Sequence, residues 1–281
     1  SENVLRGVNL GNNKLIARYM QDAKSKILLY DLDGSNESEL ELPGIGSLNS
    51  FSSEKDDNIA FFAFTSYTVP SVIYKLDFST MKSDMYKQPE IKGLDFNEYE
   101  TKQVFFKSKD GTKIPMFITH KKGIELNGKN PTLLYGYGGF NISLTPGYQS
   151  SRMIWLENGG VFAVANLRGG GEYGEKWHKA GTLKQKQNVF DDFIAAAEYL
   201  INEKYTSSEK LAIQGGSNGG LLVGAVTNQR PDLFGVSIAH VGVMDMLRYQ
   251  YFTIGRAWSS DYGLSEDSAM FDYLYAYSPL H

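Results

Sequence analysis

The chain has 281 residues, 42% hydrophobic and 21% charged, the composition of a soluble globular protein with enough length for one large domain or two smaller ones. Its 28 basic and 32 acidic side chains leave a net charge of −4 with neither sign gathered into a block, which argues against a nucleic-acid or polyanion partner. Cysteine is absent; a disulfide framework, a thiolate metal site and a thiol nucleophile are therefore excluded, and a reducing compartment is favoured.

The start, Ser1-Glu2-Asn3-Val4-Leu5-Arg6, lacks the basic region and apolar run of a leader, and no window approaches a membrane span, so a cytoplasmic protein is expected. The sequons at Asn36 and Asn141 read as chance triplets, since they matter only in secreted chains. Residues 14–33 align without a gap on residues 58–77: Tyr30, Leu32 and Asp33 match Tyr74, Leu76 and Asp77 at an offset of 44 residues. Each copy is two apolar, aromatic and β-branched runs around a polar or proline-bearing turn, the pattern of antiparallel strands. A period of about 40–45 residues marks propeller blades. Two blades cannot close a ring, so residues 1–94 are expected to be the last blades of a β-propeller, a partial one.

From Gln103 the pattern changes. A hairpin turning at Asp110-Gly111 leads to strands at 132–135 and 161–165, a helix over 188–201, a strand at 211–213 and a helix at 221–226. This alternation predicts a mainly parallel sheet over residues 95–281. Between the last strand and helix lies Gly215-Gly216-Ser217-Asn218-Gly219. Such a sharp turn lifts the serine into a strained backbone above the sheet, glycines at 215, 216, 219 and 220 remove side chains that would clash, and the helix N-terminus favours developing negative charge. Ser217 is the candidate nucleophile of an α/β-hydrolase domain. The loop Tyr135-Gly136-Tyr137-Gly138-Gly139-Phe140 follows an earlier strand, where such enzymes find one oxyanion donor, from either a backbone amide or a tyrosine hydroxyl; the amide of Asn218 is the other.

Together, YGYGGFN at 135–141, RGGGEYGEKWHKAG at 168–181, KQNVFDDF at 186–193, GGSNGGLL at 215–222, NQRPDLFG at 228–235 and GVMDM at 242–246 resemble the prolyl oligopeptidase family. The resemblance runs in order from residue 103 to 281 and more loosely through the propeller-like segment. It implies a serine peptidase that cleaves short peptides after proline through an acyl-enzyme on Ser217, with Tyr137 giving its hydroxyl and Asn218 its backbone N–H to the oxyanion hole. It also matches the Asn218 side chain to a substrate contact, Trp258 to the ring that stacks on proline, and Phe140, Val243, Ile254 and Tyr262 to the pocket lining. A flat aromatic face suits a rigid apolar ring; without the resemblance, Trp258 reads as a core residue. The resemblance further implies no cofactor, a monomer at full length, and a propeller that restricts access to short peptides.

A triad in this fold runs serine, acid, histidine. His120 and His178 precede Ser217, His240 ends a strand 23 residues after it, and His281 is the last residue. None is assigned as the base and no acid is assigned, so the catalytic domain is expected to be truncated at its C-terminus and the chain alone inactive. The alternatives are a non-catalytic fragment or pseudoenzyme acting as a binding module, and a peptide-joining, macrocyclising relative that shares the acyl-enzyme. Dinucleotide binding, suggested by G-x-G-x-x-G at 169–174, lacks its second strand and acidic residue, because Asp191 and Asp192 fall in a helix. The scattered histidines support no metal site.

Overall fold

A computed structural model describes residues 3–281; Ser1 and Glu2, part of the start read as leaderless, lie outside the described residues. The chain divides into two units, one running to Lys102 and including Thr145–Ile154, the other comprising Gln103–Leu144 and Trp155–His281.

The first unit holds two four-stranded sheets. In one, β1 (Val4–Gly11), β2 (Lys14–Gln21), β3 (Lys24–Asp31) and β4 (Ser38–Leu40) pair antiparallel in sequence order. In the other, β5 (Ser47–Ser52), β6 (Ile59–Thr65), β7 (Val72–Asp77) and β8 (Lys82–Lys87) do the same. Strict alternation on β6 turns Ala60, Phe62 and Phe64 inward and Ile59 and Phe61 outward, as a half-buried strand requires. Ile16, Ile27 and Leu29 of the first sheet join Phe51, Phe62 and Leu76 of the second in one core.

The repeat therefore holds at the level of the sheet, each copy supplying the second and third strands. It does not hold residue by residue. Two residues with positive φ, Asp22 and Ala23, close the β2–β3 hairpin tightly, whereas residues 66–71 join β6 to β7. Tyr30 consequently pairs with Leu15, but Tyr74 with Phe62. The shared feature that survives is the turn after the hairpin: Asp33 accepts from the N–H and hydroxyl of Ser35, and Asp77 from those of Ser79.

The second unit is built on a six-stranded sheet of β9 (Tyr99–Lys107), β10 (Lys113–Lys121), β11 (Thr132–Tyr135), β12 (Val161–Ala165), β13 (Leu211–Gly216) and β14 (Val236–His240), ordered β14-β13-β11-β12-β10-β9. From β14 to β12 the pairs are parallel, and β10 runs antiparallel to β12. All five residues of β12 are buried, as expected of a strand covered on both faces. Helix α1 (Ser150–Glu157) begins in the first unit and ends in the second; among the described residues the second also holds α2 (Glu175–Lys179), α3 (Gln187–Asn202), α4 (Asn218–Gln229), α5 (Ser259–Tyr262) and α6 (Ser268–Tyr277). Val189, Phe190, Phe193, Ala197 and Leu200 form the buried stripe of α3, at the spacing that places them on one face. The helix expected at 221–226 is longer, because Gly219 and Gly220, poor helix formers, are held helical by burial in its first turn. Among the described residues no helix is long and apolar enough to cross a membrane.

Candidate active site

Ser217 stands where β13 ends and α4 begins, with φ 56° and ψ −117°. This is a costly conformation for a residue with a Cβ, and it persists because the neighbourhood fixes it. The Ser217 N–H donates to the His240 carbonyl on the adjoining strand at 2.9 Å, and its own carbonyl accepts from Gly220 and Leu221 in the helix. A Cβ at position 219 would stand 2.7 Å from the Gly136 carbonyl, so only glycine lets the helix start approach the strand end this closely. The serine side chain is left exposed, and the Tyr137 phenol lies near enough for the Ser217 hydroxyl to act on it. Burial raises the Tyr137 phenol above its ordinary range, against the lowering effect of the Ser217 hydroxyl; Tyr137 thus stays a donor at neutral pH. Asn218 opens α4, so its backbone N–H is among the first-turn amides that have no acceptor within the helix.

The loop carrying Tyr137 is fixed from three sides. The Asn218 side-chain amide donates to the Tyr137 carbonyl at 2.6 Å, the Lys186 ammonium donates to the Gly138 carbonyl at 2.9 Å, and the Phe140 N–H donates to the Asp261 carboxylate at 2.7 Å. Phe140 and Asn141 both have positive φ, a strained corner that these bonds offset. Behind the loop runs a chain of rings. Phe140 meets Tyr262 edge to face at 5.4 Å, Tyr262 meets Tyr249 likewise at 5.3 Å, and Tyr249 stacks on Trp258 at 6.4 Å.

Ser217, Tyr137 and Asn218 are thus gathered at one point, and Phe140, Tyr262 and Trp258 are linked by their rings. Val243 packs, half-buried, on the same core, while Ile254 is 65% exposed and is not part of it. Two of the expected contacts need correction. Asn218 is 1% exposed, with its side-chain oxygen accepting from Lys186 at 3.0 Å and from the Tyr262 hydroxyl at 2.9 Å. Its side chain is spent on holding the loop and is not free to meet a substrate. Tyr262 is fully buried; it supports Phe140 and Asn218 from behind, and burial drives its phenol well above the ordinary range.

The sequence reading missed Lys186, Asp261 and Tyr249. Lys186 was visible only as the first residue of KQNVFDDF, and its contacts lie 32 and 48 residues away; a lysine opening an amphipathic stretch carries no sign of burial. Each imidazole is engaged away from the serine hydroxyl: His120 with the Lys121 carbonyl, His178 with Asp261 at 3.1 Å, His240 with Gln214, and His281 with Ser278. The glycine run at 169–174 also has a different job from phosphate binding. Gly169, with φ 87°, lies where a Cβ would be 2.6 Å from the Gly138 carbonyl, and its own carbonyl accepts from Asn141. Asp192 is wholly buried and bound to the Arg168 guanidinium at 2.7 Å, and Asp191, also within α3, accepts from the Gln187 side chain at 3.0 Å.

Sequence comparison bears on both units. The model of the prolyl oligopeptidase N-terminal beta-propeller domain matches residues 1–89, and that of the prolyl oligopeptidase family matches residues 146–281. The chain belongs to the prolyl oligopeptidase family. It is 53% identical over 277 residues to a prolyl endopeptidase of Elizabethkingia miricola, covering 98% of this chain and 39% of that protein. With a prolyl endopeptidase of Dictyostelium discoideum it shares 49% identity, over 95% of this chain and 36% of the relative. Among solved structures, the apo form of prolyl oligopeptidase B from Galerina marginata superposes with a TM-score of 0.92 at 38% identity, across all of this chain and 41% of that one. The chain therefore spans about two fifths of the length of the relatives it matches. Membership in the prolyl oligopeptidase family accounts for both halves of the fold, the propeller sheets and the α/β-hydrolase sheet.

Proposed function

We propose that the natural protein containing this chain is a serine endopeptidase that hydrolyses short peptides on the carboxyl side of proline. The observation that carries the reading is the Ser217 elbow, with its exposed side chain, the Tyr137 phenol near it and the first-turn amide of Asn218 beside it. In this scheme the Ser217 oxygen attacks the carbonyl carbon of the proline residue itself while the serine proton passes to a general base. The carbonyl π pair moves onto oxygen, which the Tyr137 hydroxyl and the Asn218 N–H hold; the amine then leaves with that proton, and water releases the acyl group. We assign the base and its acid to residues outside these 281, because the four histidines present have other partners. Trp258, backed by Tyr249, is the proposed proline platform, with Phe140 and Val243 beside it.

The proposed parts are a propeller portion over 1–94, which limits substrates to short peptides, and a catalytic portion over 95–281. A cytoplasmic monomer is the proposed state, supported by the cysteine-free sequence and the family resemblance. The test is cleavage by the natural protein of a short peptide with one internal proline, with products mapped by mass. The expected products end in proline and vanish in Ser217→Ala; cleavage at other residues, or cleavage that survives in Ser217→Ala, contradicts the proposal.

A second reading is peptide joining. The chain is 39% identical to a dual function macrocyclase-peptidase of Amanita bisporigera, and both outcomes share the acyl-enzyme, differing only in whether water or a peptide amine attacks it. A cyclic product from a long linear peptide in the same assay favours this reading.

A further inference from the structure

We propose that Lys186 is a positioning residue for the oxyanion hole, joining the Tyr137–Gly138 backbone and Asn218 into one closed ring of hydrogen bonds; this rests on the serine-peptidase reading above. The Lys186 side chain is buried, with the residue 1% exposed. Its ammonium donates to the Gly138 carbonyl at 2.9 Å and the Asn218 side-chain oxygen at 3.0 Å, and lies 5.5 Å from the centre of the Tyr262 ring. Asn218 completes the ring through its amide nitrogen, which donates to the Tyr137 carbonyl at 2.6 Å.

The chemistry of the ring sets its orientation. Both Lys186 and the Tyr262 hydroxyl are donors aimed at one end of the Asn218 amide, so that end must be the oxygen and the nitrogen must face Tyr137. Lys186 therefore fixes the side chain of the residue whose backbone N–H is one oxyanion donor, and, through the Gly138 carbonyl, the backbone next to the residue whose hydroxyl is the other. An ammonium with two carbonyl-type acceptors and a ring face is poorly repaid for its lost hydration, and an apolar side chain of similar volume fills such space at lower cost. Burial indeed pushes the Lys186 ammonium down to about 8, with the Asp261 carboxylate acting in the opposite sense. A charge kept at that cost is accounted for by the two donors it aligns.

The test uses the natural protein, its Lys186→Met variant, which keeps volume without donors, and its Lys186→Gln variant, which keeps a donor without charge. Two probes share one peptide and differ at its end, one carrying prolinal and the other prolinol. The aldehyde accepts the Ser217 oxygen at its carbonyl carbon, placing the carbonyl electron pair on oxygen in the hole while the serine proton passes to the base; the alcohol forms no such bond. In Lys186→Met, kcat is expected to fall about 10- to 100-fold with KM changed less than about 3-fold. The aldehyde should lose affinity by a similar factor and the alcohol by less than about 3-fold, with a smaller loss of the same kind in Lys186→Gln. Unchanged kcat in both variants, or equal loss of aldehyde and alcohol, overturns the proposal in favour of a structural lysine. If Lys186→Met fails to bind the alcohol because it has not folded, the aldehyde-to-alcohol ratio of Lys186→Gln decides. A wild-type protein that neither cleaves nor captures the aldehyde overturns the peptidase reading as well; a working wild type beside unchanged variants overturns this proposal alone.

Discussion

Ser217 was legible because five consecutive residues demand a special backbone, and the structure gives it that backbone, φ 56° and ψ −117°. Tyr137 was legible only through the family motif, and the structure places its phenol near the serine hydroxyl. Tyr137→Phe removes one donor while keeping the ring. It should lower kcat about 10²- to 10³-fold with little change in KM, read by steady-state kinetics on a proline peptide. Lys186 and Asp261 were not legible, since each acts on residues far away in sequence and a charged residue's burial leaves no local pattern. For Lys186 the folded pKa, about 8, lies below the ordinary lysine value of 10.5. Between those values the unfolded chain binds the proton that the folded one has lost, so stability contributed by this group rises with pH. The wild type should therefore gain in melting temperature relative to Lys186→Met as pH is raised from 7 to about 9.5; a gap that stays constant contradicts the burial of a charged lysine.

The elements around the site were predicted better than their junctions. The strands at 132–135 and 161–165 have the expected bounds, because continuous apolar runs of that length have few other fates in a covered sheet. The start of α4 was hidden by glycines that lower helix propensity, and at Asp22-Ala23 the polar turn was legible but not its two-residue length. Between elements, the Asp261 carboxylate at the end of the α5 segment holds the N–H of Phe140, 121 residues away. Asp261→Ala leaves that amide without its acceptor and should destabilise the fold by about 1–3 kcal/mol, seen in denaturant titration. It should also lower kcat, because the oxyanion loop loses one of its three anchors. A variant of wild-type stability and activity contradicts this anchoring.

At the scale of the whole molecule, each unit has a core of its own, one around Phe62 and Leu76 and the other around Phe190, Phe193 and Ile213. The repeat and the alternation of strands and helices made both legible, since period and patterning are properties of long stretches. Phe62→Ala, which empties a fully buried site between stacked rings at 5.2 and 6.2 Å, should cost the propeller sheets about 3–5 kcal/mol, measured by denaturant unfolding; a loss under about 1 kcal/mol contradicts the packing described. The central claim is that Ser217 is an activated nucleophile in the natural protein, and covalent labelling tests it most directly. A serine-directed fluorophosphonate, followed by mass mapping, should place one label on Ser217, with labelling slowed by a proline-containing peptide. A protein that takes up no label, or takes it up at another residue, contradicts the account.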